Sequence, residues 1–162
     1  MLIKDQAKLD AENLHRQLGL AVPVDPFDVA RRLGIEAMRT TLDPGISGML
    51  FGSPKSTVIL VDGSENAGRQ NFTCAHEIGH YVERSNRVTP DSQEEYGYVD
   101  RRGGKRDAFE FYADEFASNL LMPEDDVRQH WARGNTTSVT LAQRYGVTPA
   151  AINVRLSKLG LR

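Results

Sequence analysis

The stretch His76-Glu-Ile-Gly-His80 decides how the rest of this 162-residue sequence is interpreted. Apolar residues recur at helical spacing from Asn66 to Arg84, which predicts a helix through the stretch. On a helix, histidines four residues apart stand one turn apart, so both imidazoles can reach one metal ion from the same face. The sequence therefore predicts that His76 and His80 are metal ligands on one helix.

Glu77 follows the first histidine and is the predicted catalytic residue. Its carboxylate is placed to take a proton from a metal-activated water as that water attacks a carbonyl group, the role of this glutamate in metallopeptidases. Zn²⁺ is the expected ion, because it lowers the pKa of water and polarises a carbonyl. Residue types alone do not separate zinc from manganese or iron. The alternative is a pair of surface histidines on an amphipathic helix.

A catalytic zinc site needs a third protein ligand, and the helix predicted over residues 107–121 provides one. Glu110 and Asp114 lie four residues apart and share one helix face. Glu110 completes the predicted ligand set with His76 and His80. Asp114 is predicted to accept a hydrogen bond from the outer nitrogen of a ligand histidine and so to fix its tautomer. The alternative is that both acids are solvated on an exposed helix.

Length and composition favour one compact domain. Hydrophobic residues make up 40% of the chain and charged residues 26%, which is ordinary for a globular protein. The formal net charge of -2 does not suit a non-specific nucleic-acid binder. A single cysteine excludes an intrachain disulfide framework, and we find no secretory signal or membrane-spanning stretch. The expected location is the cytoplasm.

The fold class predicted from the pattern is α+β. Three short strands are expected at residues 35–39, 48–51 and 57–61, the last two joined by a turn at 52–55, and they form a small sheet packed with several helices. Residues 85–106 show no sustained period and are expected to form a long, charged surface loop.

Two segments resemble the ImmA/IrrE family of bacterial metallopeptidases. They are residues 72–80, Phe-Thr-Cys-Ala-His-Glu-Ile-Gly-His, and residues 110–123, Glu-Phe-Tyr-Ala-Asp-Glu-Phe-Ala-Ser-Asn-Leu-Leu-Met-Pro. The resemblance extends to residues 24–30 and 141–160. It implies a zincin-like fold of the gluzincin type, proteolysis of a helix-turn-helix transcriptional regulator or an antitoxin-like protein, and occurrence in stress-response loci. The family often has an acid where this chain has Tyr112, which removes no predicted ligand.

The tail resembles a helix-turn-helix hairpin. We expect residues 1–134 to form the metallopeptidase domain and residues 135–162 a C-terminal hairpin packed on it, with Thr148 as a helix cap. Asn153, Arg155 and Lys158 are candidates for DNA contact. DNA binding is the less favoured interpretation, because the tail has few base-reading or phosphate-binding residues and such hairpins commonly cap a core.

The function expected from the sequence is that of a zinc-dependent endopeptidase acting on a protein. The alternatives are a non-catalytic, metal-stabilised module that sequesters a regulator, and a DNA-binding regulator. Donors for the developing oxyanion cannot be ranked, and the candidates are Tyr96, Tyr98, His130 and the arginines of residues 101–106. The basic run at 101–106 is expected to be solvated, with gating of the cleft as the alternative. Oligomeric state does not follow from the sequence.

Overall fold

The computed structural model describes residues 1–161 and has the α+β architecture expected from the sequence. Seven helices and four strands occur within this range. In chain order they are α1 (Ile3–Leu18), α2 (Pro26–Arg32), β1 (Glu36–Thr40), β2 (Ile46–Gly52), β3 (Thr57–Asp62), α3 (Ala67–Arg87), β4 (Tyr96–Arg101), α4 (Ala108–Leu121), α5 (Glu124–Ala132), α6 (Ser138–Tyr145) and α7 (Pro149–Lys158).

The sheet has four strands in the order β1-β3-β2-β4. Strand β1 is parallel to β3, whereas β2 is antiparallel to both β3 and β4. The three predicted strands are present, but the prediction that the sheet has only three was wrong. Strand β4 lies within residues 85–106, which were expected to be a loop. Its half-buried and exposed residues alternate, and pairing with β2 stabilises a segment whose sequence is weak as a strand.

Side-chain caps fix where the two helices of the predicted site begin. Asn66 accepts a hydrogen bond from Arg69 N at 2.8 Å at the start of α3. Asp107 accepts one from Glu110 N at 2.9 Å at the start of α4. These bonds satisfy backbone donors that have no partner within the helix. The cap on α4 therefore sets Glu110 in the first helical turn.

Helix α3 lies in the centre of the molecule, against α4 on one side and β2 and β3 on another. Its contact with α4 is close at Gly79. A Cβ atom added there would lie 2.9 Å from Ala113 Cα and 3.1 Å from Ala113 O. Backbone atoms cannot move aside as a flexible side chain can. Only glycine at this position allows the two helices their observed separation.

The C-terminal hairpin packs on α3 and α4. Asn71 donates a hydrogen bond to Gly146 O at 2.8 Å, and Thr148 caps α7 as predicted, accepting from Ala151 N. Arg155 is only 4% exposed and donates to Met122 O at 3.1 Å. The proposed division of the chain at residues 134 and 135 stays a prediction. Within residues 1–161, no helix is both long and apolar enough to cross a membrane.

We expect Gly79→Ala to destabilise the protein by about 1–3 kcal/mol, because the added methyl group forces α3 and α4 apart. Helix propensity alone would give the opposite sign, since alanine is about 1 kcal/mol better than glycine inside a helix. The free energy of unfolding in urea measures the difference. Gly63→Ala is the control, because a Cβ at Gly63 has its nearest neighbour at an ordinary 3.6 Å. A more stable Gly79→Ala protein would contradict the packing argument.

Candidate metal centre

Two histidines from α3 and one glutamate from α4 meet at the contact between these helices. His76 Nε2 lies 3.0 Å from Glu110 Oε2, and His80 Nε2 lies 3.1 Å from Glu110 Oε1. The two imidazole rings are edge to face, with centroids 4.8 Å apart. Both histidines are almost fully buried, whereas the glutamate side chain is partly accessible. The structure thus brings the three predicted ligands together.

The arrangement fits a metal ion better than a hydrogen-bonded cluster. Within residues 1–161, His76 Nε2 is buried without a hydrogen-bond partner, although a glutamate oxygen lies 3.0 Å away. One ligand atom from each of His76, His80 and Glu110 lies within 4.8 Å of the other two, so one ion can contact all three side chains. Buried polar atoms are normally paired, so this convergence calls for a ligand. Two imidazoles and one carboxylate are donors that zinc accepts.

Asp114 contacts the other nitrogen of His76. Its Oδ1 lies 2.8 Å from His76 Nδ1, which is the contact predicted from the sequence. A proton on Nδ1 donated to this carboxylate leaves the Nε2 lone pair for a metal ion. Burial lowers the pKa of His76, but the carboxylates of Asp114 and Glu110 raise it to about 10. A positive charge, whether a proton or a metal ion, is therefore favoured at this imidazole.

Glu77 lies beside the ligand group and is fully buried. Within the described chain neither carboxylate oxygen has a hydrogen-bond partner. Burial raises the pKa of Glu77 to about 8, with Asp100 and Glu110 adding to the rise and His76 opposing it. Gly48 of β2 leaves room for this carboxylate, because a Cβ there would lie 3.2 Å from Glu77 Oε1. An unpaired carboxylate with raised proton affinity is suited to accept and return a proton.

Glu110 remains ionised in this setting. Burial would raise the pKa of Glu110, but the two neighbouring histidines lower it well below the ordinary value. The carboxylate therefore offers a full negative charge to a bound cation.

Asp100 lies at the candidate site, and sequence analysis missed it. It lies on β4, where its carboxylate is within 4.8 Å of ligand atoms of His76 and Glu77, and burial raises its pKa. The signal in the sequence was Tyr96 and Tyr98, two aromatic residues at strand spacing, which lie on the half-buried side of β4. This alternation is too short to predict a strand without a known partner.

The basic run of residues 101–106 is exposed throughout, as predicted, and two of its arginines also form ion pairs. Arg102 forms ion pairs with Asp62 at 2.8 Å and Glu65 at 3.1 Å. Arg106 pairs with Asp114, the carboxylate that contacts His76. The end of the run therefore lies at the metal centre, whereas its predicted gating role stays a prediction.

The candidate oxyanion donors lie in different places. Tyr98 stacks on His80 with ring centroids 4.4 Å apart, which places it at the metal centre. Tyr96 packs instead against Arg84. His130 lies 3.0 Å from Asp126 O on its own helix, α5. Tyr98 and the end of the basic run are thus the candidates near the site, and the donor itself stays a prediction.

Tyr112 and Cys74 have structural contacts that explain their positions. Tyr112 donates a hydrogen bond to Asp10 at 2.5 Å and so ties α4 to α1. Cys74 is completely buried in the hydrophobic core, as expected for a packed thiol. Cys74 belongs to neither of the groups of potential metal ligands found within residues 1–161.

Comparison with protein families agrees with this geometry. The model of a peptidase family described as the IrrE N-terminal-like domain matches residues 30–157, which is most of the chain. The match includes both helices that hold the candidate metal ligands. A comparison with curated proteins finds no significant match.

Asp114→Asn is expected to weaken zinc binding about 10- to 100-fold, because the substitution removes the charge that orients and polarises His76. Competition with a chromogenic zinc chelator measures the affinity. Asp125→Asn, an exposed position on α5, is the matched control. Equal affinities for the two variants would contradict the role assigned to Asp114.

Proposed function

We propose a zinc-dependent endopeptidase activity for this chain, which belongs to the IrrE N-terminal-like domain family of peptidases. The observation that carries the proposal is the convergence of His76, His80 and Glu110 beside the unpaired carboxylate of Glu77. Peptide hydrolysis needs a site that polarises a carbonyl group and a base that moves a proton, and this arrangement offers residues for both.

His76, His80 and Glu110 would hold the ion. Bound zinc would supply a Lewis acid for the scissile carbonyl and lower the pKa of an attacking water. Glu77 accepts the proton that this water loses and returns it to the amine that leaves. Asp114 keeps His76 in one tautomer, and the buried setting keeps bulk water from competing for the proton.

The outer edge of the sheet supports a peptide as substrate. Strand β4 is the last strand on its side of the sheet among residues 1–161, and it carries Asp100 next to the ligand group. An edge strand offers free backbone N–H and C=O groups that can pair with an extended peptide. A substrate strand alongside β4 would therefore have its peptide bonds close to Glu77.

The substrate proposed is a helix-turn-helix transcriptional regulator or antitoxin-like protein in the cytoplasm, within a stress response. This part of the proposal rests on the ImmA/IrrE resemblance of the sequence. A DNA-binding role for the hairpin has less support, because Arg155 is buried and Lys158 pairs with Glu115. Asn153, the third candidate for DNA contact, receives a hydrogen bond from Ser138.

Glu77→Gln is expected to keep the bound zinc but to lower the rate of peptide cleavage by at least about 100-fold, because the amide cannot accept the proton. Zinc content and cleavage of a mixed peptide library, followed by mass spectrometry, measure the two properties. Glu83→Gln on the same helix is the control, since Glu83 pairs with Arg87 away from the ligand group. Unchanged cleavage by the Glu77→Gln variant would contradict the proposed mechanism. If this variant cleaves nothing but keeps its effect on a regulator, the result would favour the sequestering module instead.

A further inference from the structure

We propose that the groove between α3, α4 and α7 is a substrate subsite that binds an apolar side chain next to an acidic one. The proposal rests on the endopeptidase activity proposed above. The groove has a volume of about 270 Å³, slightly below the range of about 300–1,000 Å³ usual for small-molecule pockets. This space suits a few side chains of a peptide.

The groove continues the helix face that carries the metal ligands. Asp114 and Ser118 follow Glu110 at intervals of four residues on α4, and Met122 comes directly after the end of this helix. All three line the groove. On α3, Phe72 lies one turn before the first ligand histidine and lines the groove from the other side. The metal centre and the groove are therefore neighbours along one seam between two helices.

The spacing along the seam relates the groove to the scissile bond. Four helical residues rise about 6 Å, so Asp114 and Ser118 lie about 6 and 12 Å beyond Glu110 along the helix axis. An extended peptide advances about 3.3 Å per residue. A substrate that runs from the metal centre into the groove would place there the residues about two to four positions from the scissile bond.

One wall of the groove is apolar and accessible. Val154 of α7 is 56% exposed, and it lines the groove together with Phe72 and the deeply buried Met122. A single exposed valine on a flat surface needs no explanation. Here the valine forms part of a concave surface that adjoins the metal centre, where an apolar substrate side chain would be removed from water.

The rim of the groove is basic. Its lining includes Arg69, Arg106 and Lys158 but only one acid, Asp114. The cations have acidic partners in the chain, which are Glu65, Asp114 and Glu115 respectively. Their side chains nevertheless remain 44%, 61% and 45% exposed. A guanidinium group has five N–H donors, so an arginine already paired with one carboxylate can bind a second.

Arg106 links the groove to the metal centre. It lines both the groove and the smaller cavity between β4 and Glu110. An acidic substrate side chain that reaches Arg106 would enter beside Asp114 while the peptide backbone passes the metal ligands. The charge and the apolar wall together favour an apolar residue and an acid two positions apart, because alternate side chains of an extended peptide lie on the same side.

The test uses zinc-loaded Glu77→Gln protein and fluorescent dodecapeptides. Four pools are random except for two central positions separated by one random residue. These positions carry Leu and Glu, Leu and Lys, Ser and Glu, or Ser and Lys, and each pool is named after its pair. Fluorescence anisotropy measures binding. We expect the Leu-Glu pool to bind at least about tenfold more tightly than the Leu-Lys pool. Equal binding of all four pools would overturn the proposal.

Two groove variants and two controls locate the binding site. Val154→Glu is expected to weaken binding of the Leu-Glu pool at least about fivefold, and Arg106→Glu to shift the preference toward Leu-Lys. Val139→Glu is the control for the first, because Val139 is also 56% exposed but lies on α6 and does not line the groove. Arg31→Glu, on α2, is the control for the second. Zinc content, measured for every variant, shows whether the metal centre is intact.

The outcomes separate the groove from the activity. In one outcome, the protein with Glu77 intact cleaves the peptides and ranks the four pools in the same order in the wild type and in the groove variants. That result would overturn the subsite but would leave the proposed peptidase activity intact. Peptide preference in a protein that binds no zinc and cleaves no peptide would contradict the proposed function and the subsite with it. A third outcome is that the protein binds no peptide but self-associates, and that Val154→Glu abolishes the self-association. This outcome would overturn the subsite and assign the groove to a second copy of the chain.

Discussion

The close approach of α3 and α4 is the constraint on which the rest of the site depends. Gly79 lies between the two ligand positions of α3, and no larger residue fits against the backbone of Ala113 at the observed separation. This contact brings two imidazoles of one helix within 3.0–3.1 Å of a carboxylate of the other. A wider spacing would leave two buried imidazoles and one half-buried carboxylate with no common ligand. Helix packing and the metal centre are therefore one structural feature.

The acids around this contact favour a bound cation. Glu77, Asp100, Glu110 and Asp114 lie around His76 and His80, and burial raises the pKa of the first two. Arg106 offsets part of this charge, yet its side chain is 61% exposed and contacts the acids only from outside. Like charges in a buried space repel strongly, and a divalent ion at the centre would reverse that effect. The acids thus favour metal binding beyond the three ligands themselves.

Sequence patterns predicted those parts of the site that depend on local geometry. Residues four apart on a helix lie on the same face, which applies to His76 and His80 and to Glu110 and Asp114. The helices themselves could be predicted from the periodicity of the surrounding residues. The helix cap Thr148 was also predictable, because a cap acts on donors two or three residues away. These features need no knowledge of distant parts of the chain.

The features that sequence analysis missed depend on pairing between distant segments. Strand β4 is stabilised by β2, more than forty residues earlier in the chain, so Asp100 could not be placed from its own neighbours. The groove exists because α7 packs across α3 and α4. In each case the structure depends on a tertiary contact, and such a contact leaves little pattern in the local sequence.

The most direct test of the account is the zinc content of the purified protein beside Glu110→Ala and Glu115→Ala variants. Glu115 lies on the same helix as Glu110, five residues further along, but it points to another face of α4 and pairs with Lys158. The account predicts about one zinc per chain in the wild type and in Glu115→Ala, and a sharp loss in Glu110→Ala. Absence of transition metal from the wild type, even after zinc is supplied under reducing conditions, would contradict the central claim that these side chains form one metal site.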